Sequence, residues 1–263
     1  MKTLTLLSVV FASIAPLISA HANVVVKTVE YKDGSTVLEG KVAYDDSIKG
    51  KRPGVLVVHE WTGLGTYVTS RIEKLAKLGY VAFAADIYGK GVRPSNPKDA
   101  AATASIYKND RALMRTRVSL ALEQLKKQPL VDTDKLVAIG YCFGGTTILE
   151  LARSGASLKG FVSFHGGLST PTPQDAKNIK GDILAFAGAD DPYVNADEVS
   201  GFEKELKDAH VKSWEVVKFG NAVHSFTNPE AGNDNSKGQA YNKQADLKSW
   251  EEMKLFFNRI FNS

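Results

Sequence analysis

The chain has 263 residues, of which 43% are hydrophobic and 24% charged, and its 33 basic and 29 acidic side chains give a formal net charge of +4. That balance belongs to a soluble globular protein with room for one large core, and it speaks against a disordered or integral membrane chain. The small basic excess gathers into no long Lys/Arg block, so nucleic-acid binding has no support.

The first 22 residues read as a leader. Lys2 supplies a positive start, Leu4 to Ile18 is an almost uncharged apolar run containing Pro16, and Ala20-His21-Ala22 offers an Ala-x-Ala cleavage site. The run is short for a membrane span of roughly 20 residues. Cleavage after Ala22 is therefore expected, giving a periplasmic or secreted protein with no stable membrane association. Export makes the single cysteine informative, because one thiol cannot form an internal disulfide.

Residues 23–263 read as one domain. Val24 to Tyr31 and Thr36 to Tyr44 are predicted strands joined through Lys32-Asp33-Gly34-Ser35, and Asp-Gly is a hairpin signal. Gly54 to Val58 is a continuous apolar run, as for a strand buried on both faces of a parallel sheet. A helix is predicted over Tyr67 to Leu78, a strand over Val81 to Ala85, and two helices within Pro97 to Gln128. Then come a strand at Lys135 to Ile139, a helix at Thr146 to Ala152, and strands at Phe161 to Phe164 and Ile183 to Ala187. A helix at Ala196 to Ala209, a strand at Ser213 to Phe219 and a helix at Gln239 to Phe261 close the chain. After the opening antiparallel hairpin, such alternation predicts an α/β fold whose mostly parallel central sheet carries helices on both faces. The longest irregular stretches, Tyr88 to Asn96 and Gly220 to Gly238, follow strands, and in open α/β sheets ligands sit beyond the strands' carboxyl ends.

Gly140-Tyr141-Cys142-Phe143-Gly144-Gly145 carries the sharpest chemical signal. It has the Gly-x-nucleophile-x-Gly form of a nucleophile elbow, with sulfur in place of the serine oxygen. The small residues allow a sharp strand-to-helix reversal, and the following helix N-terminus favours a thiolate. Gly188-Ala189-Asp190-Asp191 and Ala222-Val223-His224 each follow a strand, so acid and histidine come in the order expected after the nucleophile. The spacing from Gly188 selects Asp191 over Asp190, which reads as a turn or capping residue. Of the other histidines, His165 is the rival base near the site, His59 ends a strand as a packing or supporting residue, and His210 reads as solvated.

These residues resemble the dienelactone hydrolase family, the carboxymethylenebutenolidases, over nearly the whole mature chain. The likeness includes His59-Glu60-Trp61-Thr62-Gly63-Leu64, Gly79-Tyr80-Val81-Ala82, Asp86-Ile87-Tyr88-Gly89, the Cys142 elbow, Asp191 and His224-Ser225-Phe226. The resemblance implies an α/β-hydrolase fold and a triad of Cys142, His224 and Asp191. It also implies that Glu60 helps to form the thiolate, and that the backbone N–H groups of Trp61 and Phe143 form the oxyanion hole. No metal or organic cofactor is implied, and His59-Glu60 lacks the second histidine of a zinc-binding helix. The family's dienelactone enzyme holds its substrate's carboxylate with arginines, one of them shortly after the histidine. Here Thr227-Asn228-Pro229 follows instead. Arg93 reads either as a replacement cation or as a structural arginine, with Tyr88 and His165 as further candidates for substrate contact.

The expected activity is hydrolysis of a small ester or lactone through an acyl-thioester, by a monomer needing no partner beyond its substrate. Two other classes fit the same residues: an exported thiol redox sensor or peroxide scavenger, and a non-catalytic ligand-binding protein on the hydrolase scaffold. The absence of a resolving cysteine weakens the first.

Overall fold

A computed structural model describes residues 23–262; the leader expected over residues 1–22 lies outside them. Strands β1 (Val24–Asp33), β2 (Thr36–Asp45), β3 (Arg52–Val58), β4 (Val81–Ala85), β5 (Val131–Tyr141), β6 (Gly160–Phe164), β7 (Asp182–Gly188) and β8 (Trp214–Phe219) form one sheet. Their order is β1-β2-β4-β3-β5-β6-β7-β8. The β1–β2 and β2–β4 pairs are antiparallel and all others parallel, as the opening hairpin and later alternation predict.

The central strands are buried on both faces, and their alternate residues feed two cores. Leu56, Val58, Leu136 and Ala138 face one layer with α3 (Arg111–Lys126), α4 (Phe143–Arg153) and α5 (Ala196–Asp208). Val55, Val57, Val137 and Ile139 face the other, with α1 (Thr66–Lys77) and α6 (Lys243–Phe261). A period of two on a sheet covered from both sides explains why these strands read as unbroken apolar runs. Helix α2 (Pro97–Asn109) starts at a cap in which Asn96 accepts from Asp99 N–H, and Asp110 caps α3 through Leu113 N–H.

Two boundaries differ from expectation in ways that matter for function. Strand β5 runs to Tyr141, so the chain turns at Cys142 itself, and α4 begins at Phe143 rather than Thr146. Helix α6 begins at Lys243 rather than Gln239, because Asn242 caps it and the preceding residues pair with another segment. His224 donates its N–H to the Gly238 carbonyl, and Ala240 donates to the His224 carbonyl. This short parallel bridge pins the backbone of His224.

Candidate active site

Cys142 sits between β5 and α4 with φ 53° and ψ −116°, a conformation that side chains rarely adopt. The surroundings enforce it. Cys142 N–H donates to the Phe164 carbonyl, and Gly145 N–H donates back to the Cys142 carbonyl. A Cβ on Gly140 would lie 2.0 Å from the Gly144 carbonyl oxygen, and one on Gly144 would lie 2.2 Å from that of Val58. Both glycines are therefore required by close backbone approach. The half-buried sulfur ends up at the N-terminus of α4, where free N–H groups and the helix dipole favour negative charge.

His224, after β8, reaches this sulfur, and Asp191, after β7, stands behind the imidazole. His224 Nδ1 lies 2.8 Å from Asp191 Oδ2. The other carboxylate oxygen accepts from the N–H groups of Tyr193 and Val194 at 2.8 and 3.2 Å, which fixes the acid's orientation. Asp190 is exposed, while Asp191 is buried. Burial alone would lower the His224 pKa, but the charge and hydrogen bond of Cys142 and those of Asp191 outweigh it, raising the imidazole to about 10. A charged imidazole facing the sulfur is thereby favoured at neutral pH. Cys142, Phe143, Trp61 and His224 line one cavity of about 260 Å³. Phe143, which borders this space, is the first residue of α4, so its N–H has no acceptor within the helix.

Glu60 follows β3 and is buried near His224. Asn228 Nδ2 donates to its Oε2 at 2.6 Å, and Ser225 Oγ lies 3.5 Å from Oε1. Burial raises the Glu60 pKa to about 6, against the opposing pull of the Asn228 hydrogen bond and the His224 and Arg71 charges. Glu60 borders a second cavity of about 280 Å³, separated from the first by Trp61 and Gln239, which line both. A carboxyl whose folded pKa exceeds its unfolded value of 4.5 leaves stability intact below pH 4.5 and removes it as the pH rises through about 6. Glu60→Gln is thus expected to stabilise the protein by up to about 2 kcal/mol at pH 8. The gain should vanish at pH 4, and urea unfolding at the two pH values measures it.

The three candidates for substrate contact are otherwise engaged. Arg93 Nε donates to the Leu64 carbonyl at 2.6 Å and Nη1 to that of Val92 at 2.7 Å, with Asp86 3.7 Å away, so this guanidinium ties the loop together. Tyr88 is buried and its hydroxyl donates to the Trp61 carbonyl at 3.0 Å. His165 is 1% exposed, and its Nε2 lies 2.7 Å from Thr227 Oγ1. Burial and the nearby His224 and Arg71 charges hold its pKa well below the usual range. It packs against the His224 and Phe226 rings and borders neither of these two cavities. Tyr88 and His165 are turned back into the fold, while Arg93 stays partly exposed on its loop.

Two contributors escaped the sequence reading. Asn228 stands out in sequence only as a non-arginine, yet it holds Glu60 while its Oδ1 accepts from Glu230 N–H. Gln239 was expected to open a helix and instead bridges to His224 and lines both cavities. Among the described residues, no group of three or more His, Cys, Asp or Glu could hold a metal ion, and no helix is long and apolar enough to cross a membrane.

Comparison with known proteins agrees with this architecture. A dienelactone hydrolase-like promiscuous phosphotriesterase from metagenomic libraries is 40% identical, with a TM-score of 0.85 over 91% of this chain and 99% of its own. A solved structure titled "m3DLH" is also 40% identical, with a TM-score of 0.86 over 90% of this chain and 98% of its own. A Bradyrhizobium protein named "Probable 2-oxo-3-(5-oxofuran-2-ylidene)propanoate lactonase" is 27% identical over 75% of this chain and 83% of its own length. The model of the dienelactone hydrolase family matches residues 38–261. With its α/β-hydrolase sheet and this match across most of the sequence, the chain belongs to the dienelactone hydrolase family.

Proposed function

We propose that the protein hydrolyses small carboxylic esters or lactones, with Cys142 as nucleophile, His224 as acid and base, and Asp191 as the group that orients the imidazole. The observation that carries this is the run of contacts from Asp191 through His224 to Cys142 at the rim of one cavity. The thiolate attacks the carbonyl carbon, and the oxygen takes up negative charge opposite the Phe143 and Trp61 N–H groups. On collapse, His224 gives its proton to the departing alkoxide and leaves an acyl-thioester on Cys142. For a lactone, the alkoxide remains tethered to the acyl group. Water then gives a proton to His224 as it attacks the thioester, and the thiolate departs with regeneration of the charged pair. A thiolate suits esters and lactones better than amides, whose poor leaving group demands more protonation. The apolar leader over residues 1–22 supports action outside the cytoplasm.

The test is p-nitrophenyl acetate turnover. A burst of one p-nitrophenol per chain should precede the steady state, and Asp191→Asn should lower kcat at least about a hundredfold. An asparagine amide donating to Nδ1 would move the ring proton to Nε2, the nitrogen meant to receive one. No p-nitrophenol release above buffer, or an unchanged kcat in the variant, would contradict the assignment. Phosphotriester hydrolysis is a second reading, favoured by the phosphotriesterase relative at 40% identity, and paraoxon turnover by the same preparation checks it.

A further inference from the structure

We propose that His59 is a positioning residue that fixes and polarises the peptide whose N–H, at Trp61, serves as an oxyanion donor. This rests on the hydrolase reading above and adds a role for a histidine that touches neither thiol nor substrate.

His59 is fully buried, and both its ring nitrogens are spoken for. Ile87 N–H donates to Nε2 at 3.3 Å, so Nε2 must carry the lone pair and Nδ1 the proton. Nδ1 lies 2.6 Å from the Glu60 carbonyl oxygen and therefore donates to it. That carbonyl and the Trp61 N–H are opposite ends of one peptide. Gly63 N–H donates to the same oxygen at 3.1 Å, so the carbonyl accepts twice. Electron density drawn toward a doubly bonded carbonyl leaves the peptide N–H more positive, and hence a stronger donor to a developing oxyanion.

The same ring also braces the other donor. It stacks on Phe143 with centroids 5.7 Å apart and planes 12° from parallel, while Tyr88 packs edge-on at 4.7 Å. Tyr88 in turn donates to the carbonyl of Trp61, clamping the next peptide along. One imidazole thus links the two backbone positions that must stay a fixed distance apart while charge develops between them. Burial holds its pKa down at about 4, against the opposing pull of the Glu60 carbonyl and Asp86, so the ring stays neutral across the working range. Protonation would place an N–H against the Ile87 N–H.

A merely space-filling histidine would not alter the bond order of a substrate carbonyl, and that difference makes the test. The full enzyme, His59→Phe and His59→Asn are each acylated with p-nitrophenyl [1-13C]acetate, and the thioester carbonyl stretch is read by difference infrared spectroscopy. In His59→Phe the stretch is expected to move to higher frequency, with deacylation about tenfold slower and KM nearly unchanged. In His59→Asn, whose amide nitrogen can take the place of Nδ1, both should return toward wild type. An unshifted stretch in His59→Phe overturns the proposal. Absence of any acyl-enzyme in the wild type overturns the hydrolase reading and this role with it. Should the phenylalanine variant not fold, 15N spectra of histidine-labelled wild type decide. A protonated Nδ1 supports the proposal, and a protonated Nε2 sinks it.

Discussion

Cys142→Ala is expected to lower ester hydrolysis by about 10⁴-fold or more while leaving the fold intact. Loss of a nucleophile removes the covalent route altogether, and what survives is background binding beside the oxyanion donors. Stability should change little, since alanine shares the cysteine's Cβ and meets the same positive φ. Cys142→Ser adds a finer comparison. A hydroxyl is far harder to ionise than a thiol, and His224 would have to remove its proton during attack rather than beforehand. A loss of at least about a hundredfold is expected there. Steady-state kcat/KM, with thermal melts of all three proteins, checks both outcomes. Substantial activity in the alanine variant would remove Cys142 from the nucleophile's role.

Gly140→Ala is expected to cost about 4 kcal/mol or more of stability. The added methyl would sit 2.0 Å from the Gly144 oxygen and 2.7 Å from the Gly145 nitrogen, both backbone atoms that cannot rotate aside. Relief would require separating β5 from α4, which is the elbow itself. Gly201→Ala is the control. Gly201 lies in α5, and nothing lies within 4 Å of where its Cβ would go. Alanine there should stabilise the helix by up to about 1 kcal/mol. Urea unfolding of both variants measures the contrast, and similar midpoints would mean that the elbow is not tightly packed.

Much of this was legible in sequence because its causes are local. The runs at Gly54 to Val58 and Val81 to Ala85 announce strands covered on both sides, and the structure buries Val81 to Ala85 throughout. The Asp-Gly hairpin, the Cys142 elbow and the placement of Asp191 and His224 after strands depend on turns a few residues long. Tertiary direction was less legible. Arg93, Tyr88 and His165 all follow strands at the functional edge, but the turns aim them at backbone carbonyls or Thr227, away from the cavities. His165, with φ 43°, is the clearest case, since no spacing rule reveals which way such a turn throws its side chain. Asn228 and Gln239 act through partners 168 and 15 positions away, Glu60 and His224, beyond the reach of periodicity. The helix expected from Gln239 starts at Lys243 because pairing with His224 takes the intervening backbone.

Glu60 and His59 show how adjacent residues at one strand end divide the work. The Glu60 carboxylate stands beside His224 at some cost in stability, while His59 holds the carbonyl of Glu60's own peptide. On the proposed mechanism, activity at this site draws on a destabilising buried acid and a stabilising hydrogen-bond clamp. A substitution that relaxes the first should raise stability and lower turnover together.

The most direct test is to quench the enzyme during p-nitrophenyl acetate turnover and digest it for mass spectrometry. An added acetyl group on the peptide containing Cys142, released by hydroxylamine and absent from Cys142→Ala, is the expected result. Turnover with that peptide unmodified at every quench time, or with the acetyl group on another residue, would contradict the thioester route.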